Sequence, residues 1–275
     1  YGGLVGREEI LEFVENADCL LTLGTLLTDV EDVKAHATLL AAGRTIHATA
    51  DSIAIKHHTY DGVRFEDFVR ALAASPLPSF PSRALPPRDS VRFDPPGPEA
   101  AVSLRNVFGY LDGLLNEKTV VIADVGESLF AAADLRVRKS AEFLSPAYYT
   151  SMGFSVPAAL GAGFADPGLR PLVLVGDGAF QMTGTELSTC IRNGQAPIVV
   201  VLNNRGYGTE REILEGPFND IHEWQYEKIC DVLGGGVGHR VGTFGELVHA
   251  LSTAVDDPKQ VHVLNVLLDP RDRST

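Results

Sequence analysis

Cysteine is scarce in this sequence: three in 275 residues, Cys19, Cys190 and Cys230, far apart and with no C-x-x-C pair. That excludes a disulfide framework or a zinc ribbon and fits a reducing cytoplasm. Basic residues are also few. Lys and Arg total 23 against 36 Asp and Glu, a formal net charge of −13. Such an excess repels phosphodiester backbones and argues against nucleic acid as a partner. It still permits a single phosphorylated ligand held by backbone amides and a metal. No apolar run approaches the ~18 residues of a membrane span, so no membrane association is expected. No basic-then-apolar signal opens the chain, and no internal repeat is present. The first residue is Tyr1 rather than Met, which points to part of a longer product.

What is present describes a globular protein. Apolar residues make up 45% and charged residues 21%, enough to bury a real core. The 27 glycines exceed the ~7% norm, so tight turns and close backbone approaches matter here.

Residues 1–75 alternate helix and strand. A helical pattern over Arg7–Asn16 leads into the apolar run Cys19–Gly24, read as a buried strand. Asp32–Ala42 reads as helix ended by Gly43, Arg44–Ala50 as a second strand, and Phe65–Ala74 as a closing helix. Together they suggest part of a parallel α/β layer. Residues 76–99 hold prolines at 76, 78, 81, 86, 87, 95, 96 and 98, a density that sustains neither helix nor central strand and marks a linker between domains. Residues 100–275 then read as a second α/β domain. Its expected strands are Thr119–Asp124, Pro171–Val175, Pro197–Leu202 and Val261–Leu268, with a short one near Glu142–Leu144. Helical patterns cover Val102–Leu115, Phe154–Ala165, Thr185–Arg192 and Phe244–Val255. Near-continuous apolar strands between helices predict a doubly wound parallel sheet covered on both faces.

In such a sheet, ligands sit beyond the carboxyl ends of the strands. Two expected strand ends carry chemistry: Gly176-Asp177-Gly178, and Asn203-Asn204-Arg205-Gly206. Two glycines flanking an acid let backbone N–H groups approach an anion, and the following helix points its N-terminus at the same place. An Asp carboxylate, an Asn carbonyl and a backbone carbonyl are hard oxygen ligands suited to Mg²⁺, with phosphate and water completing the shell. Asp177 and Asn204 stand 27 positions apart, an interval that holds one helix and one strand and lets both end adjacent strands.

GDG, 24 further residues and then NN resembles the cofactor motif of thiamine diphosphate (ThDP) enzymes. Within that group, GDGAFQMTGTELSTCIRNGQAPIVVVLNNRGYGTER, PAYYTSMGFSVPAALG and IADVGESLF resemble the diphosphate-binding domain of the pyruvate and indolepyruvate decarboxylases. Residues 1–32 resemble the last part of that family's Rossmann-like middle domain. The resemblance implies Asp177 and Asn204 as Mg²⁺ side-chain ligands and the carbonyl of Gly206 as a third. It implies Gly176 in the diphosphate turn, and Gly178 and Ala179 as amide donors to the diphosphate. It places Met152 beneath the thiazolium ring, with Thr150 and Met152 offering backbone contacts to the aminopyrimidine. Glu210 falls where the decarboxylases keep an active-site glutamate that acts as proton donor and acceptor.

The implied reaction is non-oxidative decarboxylation of a 2-oxo acid, of pyruvate, phenylpyruvate or indolepyruvate type, to an aldehyde. The nearest alternatives are a carboligase of the acetohydroxyacid synthase kind and a non-catalytic ThDP-binding subunit. Gly206-Tyr207-Gly208-Thr209-Glu210 matches the decarboxylases and not the synthases. In the family, an N-terminal pyrimidine-binding domain supplies a cofactor-activating glutamate and a His-His pair, and the cofactor lies between two subunits. A sequence that starts within the middle domain is therefore expected to be a fragment or one half of a split enzyme. Alone it should lack normal turnover, and the intact assembly should be a homodimer or homotetramer.

Several features have plainer readings. His57-His58 lies in DSIAIKHHTYDG, which resembles a surface loop, and is read as a solvated pair. Thr183-Gly184-Thr185-Glu186 has the spacing of a capping box, so Glu186 is read as structural. His222-Glu223 lacks the second His of H-E-x-x-H, since position 226 is Tyr. Trp224 and Tyr226 either line a substrate pocket or pack a helix. The glycines at 234–238 read as a turn before a strand.

Overall fold

The computed structural model describes residues 8–25, 43–79, 83–86, 93–137 and 142–274. The helix expected over Asp32–Ala42 lies outside them. The chain divides into two compact units, residues 1–89 and 90–274, the division falling within the proline-rich segment.

In the first unit, helix α1 (Glu8–Glu15) precedes strand β1 (Leu20–Leu23), which pairs in parallel with β2 (Thr45–Ala48). Strand β3 (Ser52–Ile55) continues antiparallel from β2, and β4 (His58–Asp61) pairs antiparallel with β3. This corrects the expected surface loop. The segment around His57-His58 is a β-hairpin, turned at Lys56 with φ +55°. All four residues of β4 are exposed, so no apolar alternation announced the strand. The histidines are solvent-facing, in line with their plain reading. Helix α2 (Phe65–Ala74) closes the unit and buries none of its residues. Among the described residues here only Thr45, Ala48 and Ile53 are fully buried.

The second unit is a doubly wound α/β domain. Its strands are β5 (Thr119–Ala123), β6 (Phe143–Leu144), β7 (Arg170–Gly176), β8 (Ile198–Asn203), β9 (Val237–Val241) and β10 (His262–Leu267). They form one parallel sheet in the order β6-β5-β7-β8-β10-β9. Valine, leucine and isoleucine dominate because both faces are covered. Val121, Leu174, Val200 and Leu264 face helices α3 (Leu104–Leu114) and α10 (Phe244–Asp256). Val120, Val173, Val175 and Val201 face α5 (Ser155–Ala165), α6 (Asp177–Thr183) and α7 (Leu187–Arg192). The short helices α4 (Glu127–Ala132), α8 (Gly208–Ile213) and α9 (Ile229–Leu233) complete the unit. No described helix is long and apolar enough to cross a membrane.

Residues 93–100 belong to this packing rather than to a free linker. The Phe93 and Phe244 rings lie 5.9 Å apart, and Phe244 N–H donates to Ala100 O at 2.9 Å. At the amino edge of the sheet, the Arg170 guanidinium donates to the carbonyls of Ala196 (2.8 Å), Ala254 (2.5 Å), Asp257 (3.0 Å) and Gln260 (3.3 Å). At the other edge the strand order reverses between β5 and β7, because β6 lies on the far side of β5. The carboxyl ends of those two strands therefore flank the crevice where such folds bind ligands.

Candidate functional site

Strand β7 ends at Gly176, and α6 begins at once with Asp177. The carboxylate is buried, 1% exposed. Gly178 N–H donates to its Oδ1 at 2.8 Å, and Arg205 and Gly206 N–H donate to its Oδ2 at 2.6 and 3.2 Å. Burial outweighs those bonds and pushes the Asp177 carboxyl up to about 6. Its charge is felt nearby. Burial first, then the Asp177 carboxylate, push the Tyr226 phenol up to about 12. A cation at Asp177 would offset the carboxylate's part of that push and leave the part due to burial.

The second strand end closes on the first. After β8, Arg205 takes a left-handed conformation, φ +64°, which turns its N–H and that of Gly206 toward Asp177. Tyr207 N–H donates to Asn219 O at 2.9 Å, and a Cβ at position 206 would meet that carbonyl at 2.3 Å. Only glycine fits there. Position 178 is similarly restricted, since a Cβ would lie 2.5 Å from the Tyr207 ring. Gly176 differs, with nothing within 4 Å of where its Cβ would stand, so the turn opens onto free space. Ala179, in the first turn of α6, is buried. The Asn204 side chain rests on Gly208, whose Cβ would come 2.7 Å from Nδ2.

The third wall comes from residues 150–155. Thr150 has φ +50° and Gly153 φ +81°, a tightly turned path. Gly153 N–H donates to Asp124 Oδ1 (3.1 Å), Ser155 N–H and Oγ donate to Asp124 Oδ2 (2.9 and 2.7 Å), and Val125 N–H donates to Oδ1 (3.1 Å). Thr183 Oγ1 donates to Gly153 O at 2.8 Å. That bond overturns the expected capping box over Thr183–Glu186: the hydroxyl holds the 150–155 turn instead of capping a helix. The same spacing does form a capping box at Thr243–Glu246. Met152 is half-exposed on this turn.

The residues expected to act together thus fall into two groups. Asp177, Gly178, Arg205 and Gly206 form one hydrogen-bonded unit around a buried carboxylate, and the Asn204 side chain lies against Gly208. Thr150 and Met152 sit on a turn pinned to α6 and to the end of β5. Glu210 lies in the first turn of α8, and its side chain is exposed. The desolvation its expected role needs is not supplied by its own neighbours. Tyr226 packs inside, 1% exposed, edge-on to Phe180 and accepting from Gln181 Nε2 at 2.9 Å. It is therefore a core residue. Sequence reading assigned no role to Asp124, Tyr207 or Arg273. Their contacts join segments far apart in the chain, and only the buried acid ending the apolar run at 119–124 gave any hint.

The donor set expected from the sequence is the Asp177 carboxylate, the Asn204 side-chain carbonyl and the Gly206 backbone carbonyl. Among the described residues no three His, Cys, Asp or Glu side chains gather as a metal cluster. A cation here would therefore rely on few protein oxygens, which suits Mg²⁺, an ion that keeps water and ligand phosphate in its shell.

This turn-and-sheet arrangement agrees with comparison to known proteins. Residues 124–266 match the family described as "Thiamine pyrophosphate enzyme, C-terminal TPP binding domain". The chain belongs to that family of thiamine pyrophosphate enzymes. It is 33% identical over 267 residues to "Pyruvate decarboxylase 3" of Arabidopsis thaliana, covering 94% of this chain and 45% of the relative. It is 35% identical over 261 residues to "Indole-3-pyruvate decarboxylase" of Azospirillum brasilense, covering 92% and 46%. It is 31% identical over 275 residues to "Alpha-keto-acid decarboxylase" of Mycolicibacterium paratuberculosis, covering 98% and 48%. The chain thus spans about half the length of the curated relatives it matches.

Proposed function

We propose that the chain is the ThDP- and Mg²⁺-holding portion of a cytoplasmic 2-oxo acid decarboxylase that works as a homo-oligomer. On this reading, residues 100–275 form the diphosphate-binding domain and 1–75 the last part of a middle domain, and the 76–99 linker between them is already packed on the second domain from residue 93. The observation that carries it is the buried Asp177 carboxylate, held by the amides that follow Asn204 and raised by burial. The names of its relatives supply the substrate class.

Asp177, Asn204 and the Gly206 carbonyl would hold Mg²⁺, and Gly178, Ala179 and the open turn at Gly176 would face the diphosphate. Gly178 N–H now donates to Asp177 Oδ1. Turning that carboxylate toward a cation would free the amide for phosphate oxygen. Met152 and Thr150 would bear on the organic rings. When bound, ThDP supplies the nucleophilic carbon and the electron sink for loss of carbon dioxide. Glu210 would hold and deliver a proton beside the reacting carbon, once burial excludes water from it.

That burial requires a further protein surface. Tyr148, Tyr149, Met182, Ile213, Leu214 and Phe218 are each more than half exposed on segments bordering the carboxyl edge. Exposed apolar side chains of this kind suit an interaction surface. A pyrimidine-binding domain covering it would enclose Glu210, and the chain alone would lack turnover.

The deciding experiment measures aldehyde release from pyruvate, phenylpyruvate and indolepyruvate with Mg²⁺ and ThDP. The chain is assayed alone and then with a separately made pyrimidine-binding domain. Activity in the mixture only, abolished by Asp177→Ala, is expected. Silence in a mixture that folds and binds ThDP would reject decarboxylation in favour of a carboligase or a non-catalytic subunit.

A further inference from the structure

Residues 269–274 cross the carboxyl edge of the sheet after β10, and one side chain there reaches two elements of the site. Arg273 Nη2 donates to Gly208 O at 3.3 Å, and its Nε lies 3.7 Å from Glu127 Oε1. Nη1 donates to Pro270 O and Asp272 O, both at 3.1 Å. The segment is fastened on either side of the arginine. Ser274 N–H donates to Glu127 Oε2 at 2.9 Å, and Leu104 N–H donates to Asp272 Oδ2 at 2.7 Å. The Arg273 side chain is only 20% exposed and that of Glu127 13%, so this pair is less weakened by solvent than a surface ion pair.

Gly208 is where this contact meets the metal loop. Its N–H donates to Gly206 O at 3.1 Å, and the Asn204 amide leans on its bare Cα. Holding Gly208 therefore constrains both oxygen groups that would join Asp177 around a cation. Glu127 opens α4, which follows β5 across the crevice from β8. One guanidinium thus spans the mouth of the site. Arginine suits the task because its planar fork presents five donors in fixed directions, whereas lysine offers one point charge.

We propose that Arg273 is a positioning residue for the metal site. By clamping Gly208 to the start of α4, it restrains Asn204 and the Gly206 carbonyl, the two groups that would join Asp177 in holding a divalent cation. The proposal rests on the metal-site reading above, and Arg273 itself touches no reacting atom.

The test uses the full chain with Arg273→Ala and Arg273→Lys. Amide hydrogen exchange of the cofactor-free protein reads the clamp. Calorimetric titration with ThDP at several Mg²⁺ concentrations reads the site. Arg273→Ala should raise exchange over residues 206–214 about tenfold, a charge-assisted bond's worth, while β5 and β8 stay protected. It should also shift the Mg²⁺ requirement for ThDP binding upward about tenfold, with affinity recovered at saturating Mg²⁺. Arg273→Lys should recover part of both effects. Unchanged exchange at 206–214, or a Mg²⁺ requirement like that of the wild type, would overturn the proposal. A uniform rise in exchange would show Arg273→Ala unfolding, and Arg273→Lys then decides by whether its change is confined to 206–214. A wild type that binds neither Mg²⁺ nor ThDP defeats the metal-site reading, while the exchange data still judge the clamp.

Discussion

Two buried aspartates end neighbouring strands of one sheet, yet their surroundings differ. Asp124, after β5, accepts four hydrogen bonds, one of them from the Ser155 hydroxyl, and faces the start of the eleven-residue helix α5. A carboxylate has about four lone-pair sites, so Asp124 is saturated, and the positive end of the helix dipole offsets its charge. Asp177, after β7, accepts three amide bonds and keeps acceptor capacity. The same residue in the same position is thus a fully partnered pin in one strand and, in the next, a carboxylate with acceptor capacity left, the group proposed to hold the cation. The difference lies in whether the chain itself completes the carboxylate's partners.

The largest expected effect comes from breaking the pin. Asp124→Ala leaves three amides and a hydroxyl without their acceptor and should cost about 4 kcal/mol. Thermal denaturation would show this as a loss of more than ten degrees. Asp177→Asn should do the opposite to the cofactor-free protein. Burial pushes the wild-type carboxyl to about 6, against 3.8 for an ordinary aspartate, so keeping it ionised costs the fold on the order of 3 kcal/mol above pH 6. The folded state holds the proton more tightly than the unfolded chain. Wild-type stability should therefore fall, relative to Asp177→Asn, as pH rises from about 3.8 to 6. The variant should melt several degrees higher at pH 7.5, and the two should converge near pH 4. The same variant should weaken Mg²⁺-dependent ThDP binding by about a hundredfold, since a charged ligand is lost. If both variants only lower the melting temperature, the two aspartates do not differ in kind.

Gly206→Ala sharpens the contrast from the backbone. Its Cβ would sit 2.3 Å from Asn219 O, so the 206–219 contact must open at about 2 kcal/mol. The amide that serves Asp177 would be displaced, while Asp124 would keep its partners. Melting together with ThDP titration would check this. The smallest effect lies away from both acids. His239 Nε2 and His262 Nδ1 are 3.0 Å apart, and burial lowers both imidazoles. For His262, Arg170 adds to the lowering and Asp257 opposes it; for His239, His262 and His249 add to it. The unfolded chain takes up these protons first. Stability should therefore fall by a few degrees of melting temperature as pH drops below about 6.5, and His262→Gln should flatten that fall.

Much of this fold was legible because burial on both faces leaves a plain signature. The valine-rich runs at 119–123, 171–175 and 198–202 could only be covered strands, and the glycines around Asp177 marked a close approach. The exposed strand β4 left no such trace, because a strand open to solvent on both faces loses the alternation that betrays it. Thr183 misled for a different reason. Spacing shows that a hydroxyl can cap, but Gly153 O, thirty residues away, competes for it. Asp124 and Arg273 were invisible in the same sense. Their distant partners lie 29 and 31 positions from Asp124 and 65 and 146 positions from Arg273, and no local pattern records such meetings.

Arg170 gives the sheet a mechanical asymmetry. One cation ties four carbonyls before β8, at the end of α10 and before β10 into a single joint at the amino edge. At the carboxyl edge Arg273 bonds, among the described residues, a single carbonyl outside its own segment, Gly208 O, and the other links there are separate bonds between loops. Compliance should therefore concentrate where the ligand enters, leaving the strands as a stiff base against which the loops after β7 and β8 flex. A site built this way can tighten around a cation by moving a few backbone atoms, without transmitting strain to the far end of the domain.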